Sequence, residues 1–342
     1  AGGAISLTSN ATFDTDEGTA TTDGSLVFAG NSTLSSAPIN DFGATFEVGT
    51  GNLDFTAVIL QNVDFVLVRT ANNVILGALT TADGSENPDS AGVGIDINNT
   101  GTVTLGGNLS TDALAAGGGD AGRIEFNGAT GIVLTDDITI DTSVTNDGGA
   151  GNDADININV AVTGDFPASR RDLDLVAGAG DVNVTASIGG STNVELLSAS
   201  GDVINIDANL TADDIELVAT TQINLNFGGI TGITLTVLGD TADTEGDILL
   251  KADEITFNAL DTYVGAPTGT QTITFEGGTG ARPIQFGHDT VLADGELEIP
   301  EVQIAAVQNS IETIIVGVAG TGATGQTALV TVEDSTADTT VT

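Results

Sequence analysis

The sequence predicts an all-β protein, and more narrowly a right-handed parallel β-helix (β-solenoid) with coils of roughly 20–25 residues. Three observations carry that expectation. Apolar and polar residues alternate along most of the chain, as in "AISLTS" (4–9), "GIDINN" (94–99), "TVTLGG" (102–107), "DDITID" (136–141), "ADININV" (154–160) and "TQINLNF" (221–227). This two-residue period belongs to a strand with one buried face. The stretches are separated by Gly, Asn, Asp and Thr, which tolerate positive φ or close Asx-turns at tight corners. Finally, the pattern recurs: Leu173, Val194 and Ile215 follow at 21-residue steps, as do Leu175, Leu196 and Leu217. A β-sandwich or a string of immunoglobulin-like domains needs units of about 100 residues and usually a core Trp or Tyr. This chain has no Trp and one Tyr.

Taken in order, residues 1–120 form an irregular, loop-rich part in which "TDEGTATTDG" (15–24) and "TTADGSENPDSAG" (80–92) interrupt the coils. Regular coils are expected over 121–276. There "DLDLVAG", "NVELLSA" and "DIELVAT" are equivalent strands, and "DILLKADEITFNAL" (247–260) repeats two faces after an insertion at 239–247. Val203, Ile206 and Leu210 are expected to point inward, with a bulge between Val203 and Ile206, and Asn183, Asn205 and Asn224 to form an amide ladder. Variant coils occupy 277–342, with one short helix near 300–309: Pro300 suits a first helical position and is followed by Val302, Ala305, Ala306 and Asn309. No break in composition separates these parts, so the expectation is one solenoid over 1–342.

Composition narrows the function classes. Six basic residues face 48 acidic ones, for a formal charge of −42. Such a field repels nucleic acid and anionic membranes, and attracts divalent cations or basic partners. Disorder is excluded by a hydrophobic content of 40%, rich in Val, Ile, Leu and Ala. No apolar run approaches the roughly 20 residues of a membrane-spanning helix. Without Cys there are no disulfides, thiolate metal sites or thiol nucleophiles. The start "AGGAISLTS" is read as that of a processed secreted product or of a piece of something longer.

Calcium is the one cofactor the residues suggest. "DTDEG" (14–18) gathers Asp14, Asp16 and Glu17, and "GGAGNDADI" (148–156) approaches a Ca²⁺-binding nonapeptide, with Asp153 at its Asp position and Asp155, a second candidate ligand, where the motif has an apolar residue. The competing reading of both is an Asx-rich turn. A catalytic reading rests on "SRRDLD" (169–174), which combines Arg170, Arg171, Asp172 and Asp174 as a polysaccharide lyase would need, whereas a hydrolase would need two carboxylates about 5–10 Å apart across a cleft. The single histidine, His288, has no nucleophile-elbow sequence beside it. Asn-x-Ser/Thr sequons at Asn10, Asn31, Asn98, Asn108, Asn183 and Asn209 make glycosylation a candidate modification.

The most particular sequence lies near the C-terminal end. "GTGARPIQFG" (278–287) precedes "GELEIPEVQIAAVQNSIETIIVG" (295–317). The pair resembles a unit of the large bacterial secreted adhesins of the filamentous-haemagglutinin type and their β-strand-repeat relatives. Arg282, Pro283, Ile284 and Gly287 match an Arg-Pro-Ile-x-Leu-Gly strand, and Ile314 to Gly317 match a closing Leu-x-Ile-Gly strand. The resemblance implies a β-helical fold and a cell-surface location. It departs from the family where an Asn-Pro-Asn-type secretion motif would stand, since the chain has only "NPDS" at 87–90.

These readings converge on an extracellular or cell-surface structural protein, self-assembling end to end into a filament or surface layer. Its partners are expected to be copies of itself, and glycans or a cell surface, with no nucleic acid and no membrane span. The assembly residues are expected in the end strands: Ile5 and Leu7 at one end, Leu329, Val330 and Val332 at the other. The alternatives are a stalk segment of a giant secreted adhesin and a β-helical enzyme.

Overall fold

A computed structural model of the chain describes residues 3–16, 23–28, 30–36, 42–81, 92–111, 121–143, 153–165, 170–190, 194–225, 233–238, 246–257, 263–265, 271–278, 284–286, 297–299, 311–317 and 330–332. Its regular elements are strands, with no helix among the described residues, and the ladders between them are parallel. The helix expected near 300–309 lies outside those residues. The chain divides into two compact units, residues 1–193 and 194–342.

In the first unit the chain visits three sheets in fixed rotation. Sheet I takes Ala4–Leu7, Ser32–Ser36, Val58–Gln61, Leu79–Thr81, Leu109–Thr111, Ile138–Asp141 and Arg171–Val176. Sheet II takes Ala11–Asp14, Ala44–Glu47, Val66–Thr70, Val93–Asn98, Arg123–Asn127, Ile156–Ile158 and Val182–Val184. Sheet III takes Leu26–Val27, Leu53–Phe55, Val74–Leu76, Thr102–Leu105, Gly131–Leu134 and Val162–Gly164, and ends in a bridge to Ile188. Apart from Val58–Gln61 and Leu79–Thr81 in sheet I, each strand pairs with its counterpart one round later, so that alternate residues form columns. One column of sheet II runs Ala44, Val66, Ile95, Ile124, Ile156, Val182, all inward. Sheet III supplies Leu53, Val74, Val103, Ile132 and Val162. These side chains are buried, and each fully buried Val, Leu or Ile contributes roughly 1.5–3 kcal/mol of apolar transfer. Parallel strands stacked in sheets are the arrangement of a β-solenoid.

The rounds are less uniform than the sequence suggests. Equivalent positions lie 21 residues apart from Asn52 to Asn73, but 29 from Asn73 to Thr102 and 31 from Asn108 to Thr139. The extra residues sit at the corner between sheets I and II. Buried threonines hold its base: Thr111 Oγ donates to Gly122 O at 2.5 Å, and Thr142 Oγ donates to Ala154 O. Sheet I is also interrupted. Val58–Gln61 and Leu79–Thr81 are adjacent but share no ladder, and a groove of 360 Å³ opens there beside the exposed Ile59.

The second unit begins with two long strands, Val194–Ile206 and Leu210–Leu225, paired along their length. The second of them also pairs with Thr234–Val237, Asp247–Ala252 and Glu254–Phe257. Tyr263–Gly265 follows Thr234–Val237, Gln271–Gly277 follows Asp247–Ala252, and Ile311–Val316 follows Gln271–Gly277. The alignment of "DILLKADEITF" with the preceding coil is therefore the one the sequence suggests, with Ile215 against Ile248 and Ile223 against Ile255. The register of 194–206 is not. Leu197 pairs with Ile215 and Ala199 with Leu217, while Leu196 meets Asp214. The inward residues are Ile204 and Ile206, and Val203 is half-buried. The irregularity lies between Gly201 and Val203, with the extra residue on the later strand, where Gly201 pairs with Ala219 and Val203 with Gln222. A separate sheet joins Ile284–Phe286 to Leu297–Ile299 on one side and Val330–Val332 on the other.

Candidate functional site

Polar side chains are concentrated at the corners, and their geometry follows one rule. At several corners the residue immediately before an inward apolar position is Asn, Asp or Ser. Its side-chain oxygen accepts a hydrogen bond from the backbone N–H of its own counterpart one round later. In sheet III, Ser25 Oγ accepts from Asn52 N at 3.1 Å, Asn52 Oδ1 from Asn73 N at 3.2 Å, and Asn73 Oδ1 from Thr102 N at 2.9 Å. In sheet II, Asn10 accepts from Gly43 and Asp155 from Asp181; in sheet I, Asn108 accepts from Thr139 and Asp137 from Asp172. The second unit repeats it, with Asn209 accepting from Thr234 and Asp214 from Asp247, both at 2.8 Å. Each bond satisfies a main-chain donor at a place where the strand ladder has not yet begun. Each contributes about 1 kcal/mol, more where the acceptor is ionised.

This rule accounts for several residues singled out in the sequence. Asp155 is such a cap. Asp153 caps the adjoining turn, its Oδ2 accepting from Ala179 N at 2.6 Å. That turn is closed by Gly180 N donating to Ala177 O, and Gly178 sits at φ +60° beneath the Asp153 carboxylate. A Cβ on Gly180 would lie 2.3 Å from Ala154 O, so the corner closes only on glycine. Val48–Gly51 builds the same turn, with Asp23 Oδ2 accepting from Thr50 N at 2.7 Å. Asp14 accepts from Asp16 N at 2.8 Å in an Asx-turn, and Asp16 lies beside Asp23 at Gly49. Glu17 lies outside the described residues. Among those residues no group of three or more His, Asp or Glu side chains is placed to hold a metal ion.

Of the expected amide ladder the Asn205–Asn224 rung is present, while Asn183 bonds the preceding round. Asn224 Nδ2 donates to Asn205 Oδ1 at 2.9 Å, and Asn183 Nδ2 to Asn157 Oδ1 at 3.0 Å. Asn159 similarly donates to Asn127 at 2.9 Å. Asn10, Asn108, Asn183 and Asn209, all sequon residues, thus carry structural hydrogen bonds.

Among the described residues, Arg69, Arg123, Arg171 and Lys251 are paired with acids. Arg171 Nε donates to Asp165 at 3.2 Å, and this hydrogen bond raises its already high pKa. Asp172 contributes its N–H to Asp137. Lys251 pairs with Glu276 at 3.4 Å and Arg123 with Glu125 at 2.9 Å. On the outer side of sheet II, Arg69 Nη1 donates to the largely buried Asp96 at 3.0 Å. Burial pushes the Asp96 carboxyl above its ordinary range; Arg69, the Asn127 amide and Arg123 oppose that shift, and the nearby Glu125 adds to it. His288 lies outside the described residues.

The residues expected at the ends fall into distinct environments. Ile5 is 37% exposed, whereas Leu7 is only 5% exposed and faces the core, held there by pairing of Ala4–Leu7 with Ser32–Ser36. Val330 and Val332 lie on the strand that pairs with Ile284–Phe286, and Leu329 lies outside the described residues. Phe13, which the sequence did not mark out, stacks on Phe46 with ring centroids 5.0 Å apart and planes 7° from parallel. Among the described residues, no helix is long and apolar enough to cross a membrane. No family model matches the chain, and neither a curated protein nor a solved structure matches it.

Proposed function

We propose that the chain is an extracellular structural protein: a closed right-handed parallel β-helix that stacks end to end into a filament or surface layer. The observation that carries this reading is the cap rule. Asn, Asp and Ser at the corners are engaged coil to coil, and the basic side chains of Arg69, Arg123, Arg171 and Lys251 are tied to carboxylates. Polar groups so engaged stiffen a stack, and we read the chain as mechanical and non-catalytic. A net charge of −42 opposes lateral clumping and holds copies apart until salt shortens its range to about 8–10 Å. The resemblance of 278–317 to secreted adhesins supports a cell-surface location and glycan or cell-surface partners.

Electron microscopy of the protein in salt, with and without a calcium chelator, tests the reading. Continuous thin fibres are the expected outcome. Fibres lost on chelation would assign Ca²⁺ a role at the Asp-rich corners, and isolated particles under every salt condition would refute self-stacking.

A further inference from the structure

The first round, residues 4–28, differs from those that follow. Among the described residues, Ala4–Leu7, Ala11–Asp14 and Leu26–Val27 each pair on one side only, with Ser32–Ser36, Ala44–Glu47 and Leu53–Phe55. Positions that are sealed one round later stand open here. Ile5 is 37% exposed where its counterpart Leu34 is 0%, and Phe13 and Leu26 are half-buried where Phe46 and Leu53 are 0%. One face of the Phe13 ring is stacked on Phe46. The cap rule adds a direction: the side-chain oxygen belongs to the earlier round and the N–H to the later one. Asn10 and Ser25, which cap the next round, stand where such a cap would be received from a preceding one.

The second unit presents the converse edge. Ile311–Val316 pairs on one side only, with Gln271–Gly277, among the described residues. Ile314 is 42% exposed and Val316 half-buried, in register with Ile273 and Phe275, which are 0% and 1% exposed. Thr313 continues the column of Asp214, Asp247 and Thr272, the position from which caps are offered.

We propose that the edge carrying Ile5, Phe13 and Leu26 receives the edge carrying Ile314 and Val316 of a second copy, through parallel strand pairing and burial of both apolar rows. The proposal rests on the self-stacking reading above and assigns its interface. A second copy fits because the occupant must bring parallel strands, inward apolar residues at two-residue spacing, and an oxygen-bearing side chain one residue before them. The chain's own later edge has all three. Joining two different edges is a heterologous contact, the kind that builds a filament when its rotation does not close into a ring.

Two full-length variants test this. Ile5→Asp disables the receiving edge and Ile314→Asp the offered edge; both sites are exposed, so circular dichroism should match wild type. By sedimentation velocity in the salt where wild type assembles, each variant alone should associate at least about tenfold more weakly. Mixed in equal amounts, they should form a heterodimer of twice the monomer mass and stop there, because each copy keeps one working edge. Variants that assemble like wild type, or a mixture that stays monomeric, overturn the edge assignment while leaving self-stacking in place. A wild type that never assembles overturns both.

Discussion

Replacing Asp153 separates a structural cap from a calcium ligand. Its carboxylate accepts the Ala179 N–H at 2.6 Å from a half-buried position. A hydrogen bond to a charged acceptor is worth roughly 1.5–3 kcal/mol net when sheltered, and partial exposure lowers that to about 1–1.5 kcal/mol here. Asp153→Ala should therefore weaken the corner by about that amount. Asp153→Asn keeps an oxygen acceptor and should cost only about 0.5 kcal/mol. Amide exchange at Ala179 is the direct assay, because in a stacked-repeat protein the loss is local. A change of 1–1.4 kcal/mol corresponds to roughly five- to tenfold faster exchange in the Ala variant. Urea unfolding in chelator and in millimolar Ca²⁺ completes the test. The cap account predicts the same ranking in both conditions. If Ca²⁺ stabilises wild type by more than about 1 kcal/mol and both variants abolish the gain, the corner is a metal site and the reasoning fails.

Three further outcomes follow from the geometry. Phe46→Ala removes a fully buried ring that contacts Phe13, Phe28 and Phe55, and should cost about 3–5 kcal/mol, read from the shift of the urea midpoint. Gly180→Ala places a Cβ 2.3 Å from Ala154 O and should destabilise the corner by more than about 2 kcal/mol; a neutral melt would contradict the close approach. Asp96 is expected to act opposite to an ordinary salt-bridged carboxylate. Its folded pKa is raised, so between that value and the ordinary carboxylate range the native state binds the proton more tightly than the unfolded chain. Its contribution therefore improves as pH falls through that window. Wild type should gain on Asp96→Asn across the same window in pH-dependent unfolding, and a widening deficit would overturn the assignment.

What the sequence made legible was the local pattern. Two-residue alternation identified strands such as Ile138–Asp141 and Ile156–Ile158, because inward and outward positions differ chemically there. Register was harder. "DVINI" offers both Val203 and Ile204 as inward residues, and the choice turns on where the irregularity falls in the neighbouring strand. The long rounds of the first unit were masked by insertions at a single corner, which move equivalent positions from 21 to 31 residues apart. The caps went unrecognised for the same reason. Asn52, Asn108 and Asp137 read as ordinary turn residues until their partners one round later are known. One local signal was available, namely Asn, Asp or Ser standing directly before an apolar alternation. The half-exposed Phe13 could not be found from sequence, since it matches the buried Phe46 in type and local pattern.

Cryo-electron microscopy of the protein assembled in salt is the most direct test of the central claim. The account predicts parallel strands running across the fibre at a spacing of about 4.8 Å, uninterrupted where one copy meets the next. Copies joined side by side, or a break in that spacing at every junction, would contradict it.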